Sequence, residues 1–205
     1  MRIIAIDGPA GSGKTTVARA LADRLGLDYL DTGAMYRSVT FAALRRGIDP
    51  SEGEQLARIV GDIALEVRQD GVTVDGVDAT IEIRGPQVSR AVSIVAANPA
   101  VRAEMVRRQR AWVMTRDGGV LEGRDIGTVV FPDAELKVYL TADEAERLRR
   151  RASEAGVEVA QDIVRRDRAD AARDASPMYA ADDALVIDTT GRSIDEIVEE
   201  VVSRL

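Results

Sequence analysis

The chain has 205 residues, enough for one well-buried core and too few for two independent enzymes. With 45 % apolar and 31 % charged residues it has the balance of a soluble globular protein, and no apolar run approaches the roughly 20 residues that cross a bilayer. A net charge of −7 argues against nonspecific nucleic-acid binding, and the lack of Cys and His excludes disulfides, thiolate or imidazole metal sites and a histidine base.

Catalysis therefore rests on carboxylates, Arg, Lys, hydroxyls, backbone amides and a diffusible metal. The apolar start is too short for a secretory signal and runs directly into a glycine-rich motif, so a cytoplasmic location is expected. Of 28 cationic residues only Lys14 and Lys137 are lysines, so a lysine in this chain stands against a strong preference for Arg.

In chain order, the β-branched run 2–7 predicts a buried strand, and 14–25, with Val17, Leu21 and Leu25 at helical spacing before Gly26, an amphipathic helix. A short strand is expected over 27–30, helices over 34–46 and 54–64. The period then changes to two: 66–69, 72–74 and 80–84, separated by Asp70-Gly71 and Asp75-Gly76, predict a small antiparallel meander. Helices are expected over 87–97 and 101–116, divided at Asn98-Pro99. Core strands are expected over 120–122, 136–140 and 184–187, charged helices over 143–155 and 159–172 split near Gly156, and a last helix over 193–205. Strands alternating with helices predict a parallel sheet covered on both faces, with ligands at the carboxyl ends of its strands.

Gly8-Pro9-Ala10-Gly11-Ser12-Gly13-Lys14-Thr15 satisfies G-x-x-x-x-G-K-[ST] between a strand and a helix start. In that context its glycines let amides converge on phosphate oxygens, the helix start adds its dipole, Lys14 reaches the β and γ phosphates, and Thr15 can ligate Mg²⁺. One of two lysines thus falls where a compact ammonium is wanted. The loop specifies a nucleoside triphosphate with Mg²⁺ and leaves the reaction open: GTPases, motor ATPases and small-molecule kinases all use it. A GTPase would need a guanine-reading N-K-x-D motif, and neither lysine follows an Asn.

Two polar clusters follow core strands, Asp31-Thr32-Gly33-Ala34-Met35-Tyr36-Arg37 and Gly123-Arg124-Asp125. Thr32 or Asp31 can cap the following helix or meet a ligand, and Arg37 near an anion site is a phosphate fork. An Arg-Asp pair ending a buried strand is costly unless paired or used. A third cluster is Arg147, Arg149, Arg150 and Arg151 followed by Arg165-Arg166-Asp167-Arg168-Ala169-Asp170-Ala171-Ala172-Arg173, in which Arg166, Asp170 and Arg173 share one helix face. Such helices, joined by a glycine turn, can close over a triphosphate and carry arginines to the transferring phosphoryl group.

The runs Ile6-Asp7-Gly8-Pro9 through Thr16, Leu30-Asp31-Thr32-Gly33-Ala34-Met35-Tyr36-Arg37 and Glu122-Gly123-Arg124-Asp125-Ile126-Gly127-Thr128-Val129-Val130-Phe131-Pro132 are similar, end to end, to the bacterial cytidylate kinases. The resemblance implies an α/β P-loop NTPase fold in a single domain, 1–205, with a five-stranded parallel sheet, a CMP-binding antiparallel insertion over 65–100 and a short lid over 150–170. It implies phosphorylation of CMP and dCMP by ATP with Mg²⁺. By its motifs, Gly8 to Thr16 and Arg150 bind ATP, Thr32, Arg37 and Arg124 bind the acceptor, Ser93, Arg102 and Asp125 read the cytosine edge, and Asp170 meets the ribose. Lys14, Arg166 and Arg173 act on the transferring phosphates. Cytosine's amino donor beside N3 and O2 suits a carboxylate with an Arg and a hydroxyl, whereas uracil would set O4 against Asp125, so uridylate should be a poor acceptor. A monomer is expected, with no nucleic-acid or membrane partner.

Overall fold

A computed structural model describes residues 1–155, 164–165, 167–173 and 176–205. The chain divides into two compact units, one made of 1–31 with 110–205, the other of 32–109.

The first unit is built on five parallel strands, β1 (Arg2–Asp7), β2 (Tyr29–Asp31), β6 (Gly118–Gly123), β7 (Leu136–Thr141) and β8 (Leu185–Asp188), in the order β2-β6-β1-β7-β8; β3 to β5 belong to the second unit. Ile3, Ile4, Ala5 and Ile6 are all buried although successive side chains of a strand point to opposite faces, so both faces of β1 are covered, as a parallel sheet requires. Helix α1 (Lys14–Leu25) packs Val17, Ala18, Leu21 and Ala22 on this sheet together with Ile197, Val198 and Val201 of the last helix, α7 (Ile194–Val202). Ser193 starts α7 with a reciprocal cap, its side chain and that of Glu196 each bonding the other's amide.

Helix α1 stops as expected at Gly26, which is left-handed at φ 65°. The strand expected over 27–30 starts later, at Tyr29, because the Leu27 amide still bonds the Ala22 carbonyl (2.9 Å) and belongs to the helix end.

In the second unit α2 (Thr32–Arg45) packs against α4 (Pro86–Ala97), and the small sheet β3 (Leu65–Val67), β4 (Val72–Val74), β5 (Val77–Asp78) leans on α2. A short helix, α3 (Gly53–Ile59), precedes the sheet, and α5 (Pro99–Met114) follows α4. The meander is present with one correction. Its Asp75-Gly76 turn has both residues at positive φ (49° and 77°), the geometry such a hairpin demands, but its third strand is 77–78 and not 80–84. Asp78 Oδ1 accepts from both the amide and the hydroxyl of Thr80 (3.0 and 2.6 Å) and turns the chain, after which the Ile83 amide bonds the Ala79 carbonyl (3.0 Å). Ala79 and Ile83 are thereby buried together four residues apart, while Ile81, which an alternating strand would place beside Ile83, is 81 % exposed.

Asn98 divides α4 from α5 and caps the latter, Oδ1 accepting from the amides of Ala100 and Val101 (2.9 and 3.2 Å). Helix α6 (Glu144–Ala155) matches the first expected charged helix. Residues 167–171 are helical; the breakpoint at Gly156, much of the expected lid and Arg166 lie outside the described residues.

Candidate active site

The phosphate loop joins the buried end of β1 to the start of α1. A Cβ on Gly8 would lie 2.1 Å from the Leu140 carbonyl oxygen and one on Gly11 2.6 Å from that of Arg147, so the backbone passes where no side chain fits. Gly13, left-handed at φ 88°, then turns the amides of Lys14 and Thr15 into the first turn of α1. Lys14 Nζ donates to the Pro9 carbonyl (2.7 Å), folding the side chain over its own loop. Burial, reinforced by the Arg124 charge, pushes the Lys14 ammonium well below the usual lysine range.

Beside the loop, the penultimate residue of β6 is Glu122, register-paired with Asp31 of β2. Glu122 accepts from the Thr15 hydroxyl (3.0 Å) and from the Tyr29 hydroxyl. Burial and the neighbouring Asp31 push its carboxyl up. The Thr15 hydroxyl and the Glu122 and Asp31 carboxylates are hard oxygen donors suited to Mg²⁺. Among the described residues no group of three or more acidic side chains could hold a metal ion.

Arg124, next but one along the chain, donates from Nε to Asp170 Oδ2 (3.0 Å) and from Nη1 to the Gly8 carbonyl, and its Nη2 lies 3.4 Å from Asp167 Oδ1. Asp170 also pairs with Arg173, so the predicted proximity of those two holds. Asp167 accepts from the Ala10 amide of the phosphate loop (3.0 Å) and from Arg147, which also donates to the Ala10 carbonyl (3.1 Å). Arg150 lies beside Gly13 and is held by Thr189, donating to its hydroxyl and carbonyl (2.9 Å each), and by Glu146 (2.8 Å). Asp125 is buried at the mouth of a turn that follows β6.

The other expected acceptor residues lie in the second unit. Thr32 is the first residue of α2 and is buried. Arg37, one turn on, donates from Nη1 to the Ile83 carbonyl (3.1 Å) and to Ser89 Oγ (3.0 Å). Ser93 follows Ser89 by one turn of α4 and is half-buried. Arg102 is buried on α5, its guanidinium 5.6 Å from the Tyr36 ring centroid and bonded to the Ala96 carbonyl (3.2 Å).

Asp7, Glu122 and Asp167 have no role of their own in the sequence, and Arg147 stands out there only as a member of the arginine cluster. Glu122 and Asp7 each carried a signal, an acid ending a buried apolar strand, which is the cost argument that singled out Arg124 and Asp125. Arg147 stood in an arginine run with nothing to distinguish it, and Asp167 is marked only by partners far away in the chain.

The strand order, the loop between β1 and α1 and the acid near the end of the neighbouring strand define a P-loop nucleotide-binding fold. The fold is shared with the gluconokinase of Sinorhizobium meliloti 1021, which is 13 % identical, with 99 % of this chain and 90 % of that chain covered at a TM-score of 0.53. The family model described as cytidylate kinase matches residues 4–205, and the chain belongs to that family. It is 46 % identical to the cytidylate kinase of Pelotomaculum thermopropionicum over 98 % of this chain and 95 % of that protein. It is 47 % identical to the bifunctional pantoate ligase/cytidylate kinase of Synechococcus sp. strain RCC307 over 98 % of this chain, and it spans 42 % of that longer protein.

Proposed function

We propose that the chain transfers the γ-phosphoryl group of ATP to CMP and dCMP, giving ADP with CDP or dCDP. The observation that carries this is the phosphate loop 8–15 placed beside Gly123-Arg124-Asp125 at adjacent strand ends, in a chain that matches the cytidylate kinase family from residue 4 to residue 205.

A phosphate oxygen of CMP is already an anionic nucleophile. It attacks the γ-phosphorus, the bond to the β–γ bridging oxygen breaks, and no proton has to be removed, which suits a chain without histidine. Catalysis is then positioning and neutralisation of charge. The loop amides and Lys14 hold the donor phosphates, with Arg150 flanking Gly13. Arg173 and Arg166 neutralise the transferring group. Thr15, with Glu122 behind it, would hold Mg²⁺, which would supply charge neutralisation to the donor phosphates. Thr32, Arg37 and Arg124 take the acceptor phosphate, Ser93, Arg102 and Asp125 the cytosine edge, and Asp170 the ribose. Binding as a monomer to small-molecule substrates alone, in the cytoplasm, completes the reading; no described helix is long and apolar enough to cross a membrane.

The test is ADP release with CMP, dCMP, UMP and AMP offered in parallel. Turnover with CMP and dCMP far above UMP and AMP is expected; equal turnover with AMP, or none dependent on a nucleoside monophosphate, would sink the assignment.

A further inference from the structure

Asp125 does not lead into an ordinary helix. Residues 126–130 form one wide turn in which the Val130 amide bonds the Asp125 carbonyl (3.2 Å) and the Phe131 amide the Ile126 carbonyl (2.7 Å), both five residues apart. Such turns are intrinsically poor and persist where something holds them.

Here two side chains grip the backbone from opposite ends. Asp7, at the end of β1, accepts from the Ile126 amide with Oδ1 (2.9 Å) and from the Gly127 amide with Oδ2 (2.8 Å). Arg110, on α5, donates from Nε to the Val130 carbonyl (3.0 Å) and from Nη2 to the Val129 carbonyl (3.1 Å). Between them the Lys137 stem fills the space beside Gly127, where a Cβ would lie 3.1 Å from its Cγ.

We infer that Asp7 and Arg110 are positioning residues for base recognition: by pinning the wide turn at its two ends they fix where the Asp125 carboxylate stands. The inference rests on the reading of Asp125 as the group that meets the cytosine edge.

Asp7 is an expensive anchor. It is buried, and desolvation lifts its carboxyl to about 6 even though two amides donate to it. An apolar contact would fix a loop for less; a bidentate acceptor fixes two successive amides in direction as well as place, as a group that must meet a base edge in hydrogen-bond register requires. Asp7 also immediately precedes Gly8, so one residue sets both the first phosphate-loop glycine and the turn that carries Asp125. The Arg110 hydrogen bonds to Val129 and Val130 lie within the turn and the residue is exposed, so its replacement separates the turn from the phosphate loop.

The experiment measures kcat/KM for CMP and UMP and the KM for ATP in Asp7→Asn, Arg110→Ala, Arg110→Lys and Asp125→Asn, with thermal unfolding as a control. Asp7→Asn turns an amide NH₂ against a backbone N–H, and Arg110→Ala frees two carbonyls. Each should lower the CMP:UMP ratio by about tenfold, because a misplaced group loses its transition-state contact. Arg110→Ala should leave the ATP KM unchanged, and Arg110→Lys should restore part of the ratio through one remaining donor. If Asp7→Asn unfolds, Arg110→Ala decides alone. A ratio within about twofold of wild type in Arg110→Ala, while Asp125→Asn collapses it, overturns the positioning role and leaves the base-reading assignment standing. An unchanged ratio in Asp125→Asn removes Asp125 from base reading, and the positioning role with it.

Discussion

Of the 28 cationic residues only Lys14 and Lys137 are lysines, and the two stand in different settings. Lys14 lies over the phosphate loop, where a compact ammonium on a flexible stem can swing from the Pro9 carbonyl to a phosphate. Lys14→Ala should cut turnover by roughly 100-fold or more, as loss of a charged donor to the transferring group does, with CMP binding measured by calorimetry left intact. Lys137 carries its charge past Gly127 to Asp183 (2.8 and 2.9 Å). Composition flagged both; only the first could be assigned from the sequence, because the second depends on a neighbour ten residues away that the fold brings against it. At Glu122, the change to Gln removes the charge and keeps an acceptor for only one of the Thr15 and Tyr29 hydroxyls, which bond separate carboxylate oxygens. It should raise the Mg²⁺ concentration for half-maximal ATP turnover by about tenfold, the scale of an outer-shell ligand change, without moving the CMP KM.

At the scale of elements, the helices and core strands were legible because their signals are local: apolar period, Gly26 after α1, Asn98-Pro99 between α4 and α5. The third meander strand was misplaced because alternation at Ile81 and Ile83 fits a strand as well as a turn, and burial of Ile83 against α2 decided for the turn. The wide turn after Asp125 had no local signature at all, since its holders are Asp7 and Arg110. Helix α3 shows another such long-range hold. The Arg108 guanidinium bonds the carbonyls of Val60, Gly61 and Ile63 (3.1, 3.0 and 2.7 Å), satisfying acceptors just past the helix end, and Glu104 fixes it at 2.5 Å. Donation from Arg107, joined by Arg108, holds Glu104 down to about 2 against burial. A depressed carboxylate stabilises the fold fully above its unfolded value near 4.5 and loses that contribution as pH falls towards 2. Glu104→Gln should therefore lower Tm at pH 7, and its gap to wild type should narrow steadily between pH 5 and pH 2.5; a constant gap would mean that Glu104 acts through packing.

For the whole molecule, the nucleotide-binding end of the sheet was readable from one loop and two strand-end clusters, and the family resemblance supplied the acceptor. The ionic connections within the first unit were not readable, since Asp167 and Ala10 are 157 residues apart and nothing in either segment names the other. That contact changes what triphosphate binding means. The Asp167 carboxylate takes a phosphate-loop amide and the Arg147 and Arg124 guanidiniums, the donor set a phosphate oxygen would take. A triphosphate that took these donors would replace a resident anion and not meet bare positive charge, so dissolved salt would compete only for the difference between the two. The logarithm of the ATP dissociation constant should rise only gently with the logarithm of salt concentration in the wild type. In Asp167→Asn, where the seat is held by a neutral amide, ATP should bind more tightly at low salt and lose affinity more steeply as salt is added.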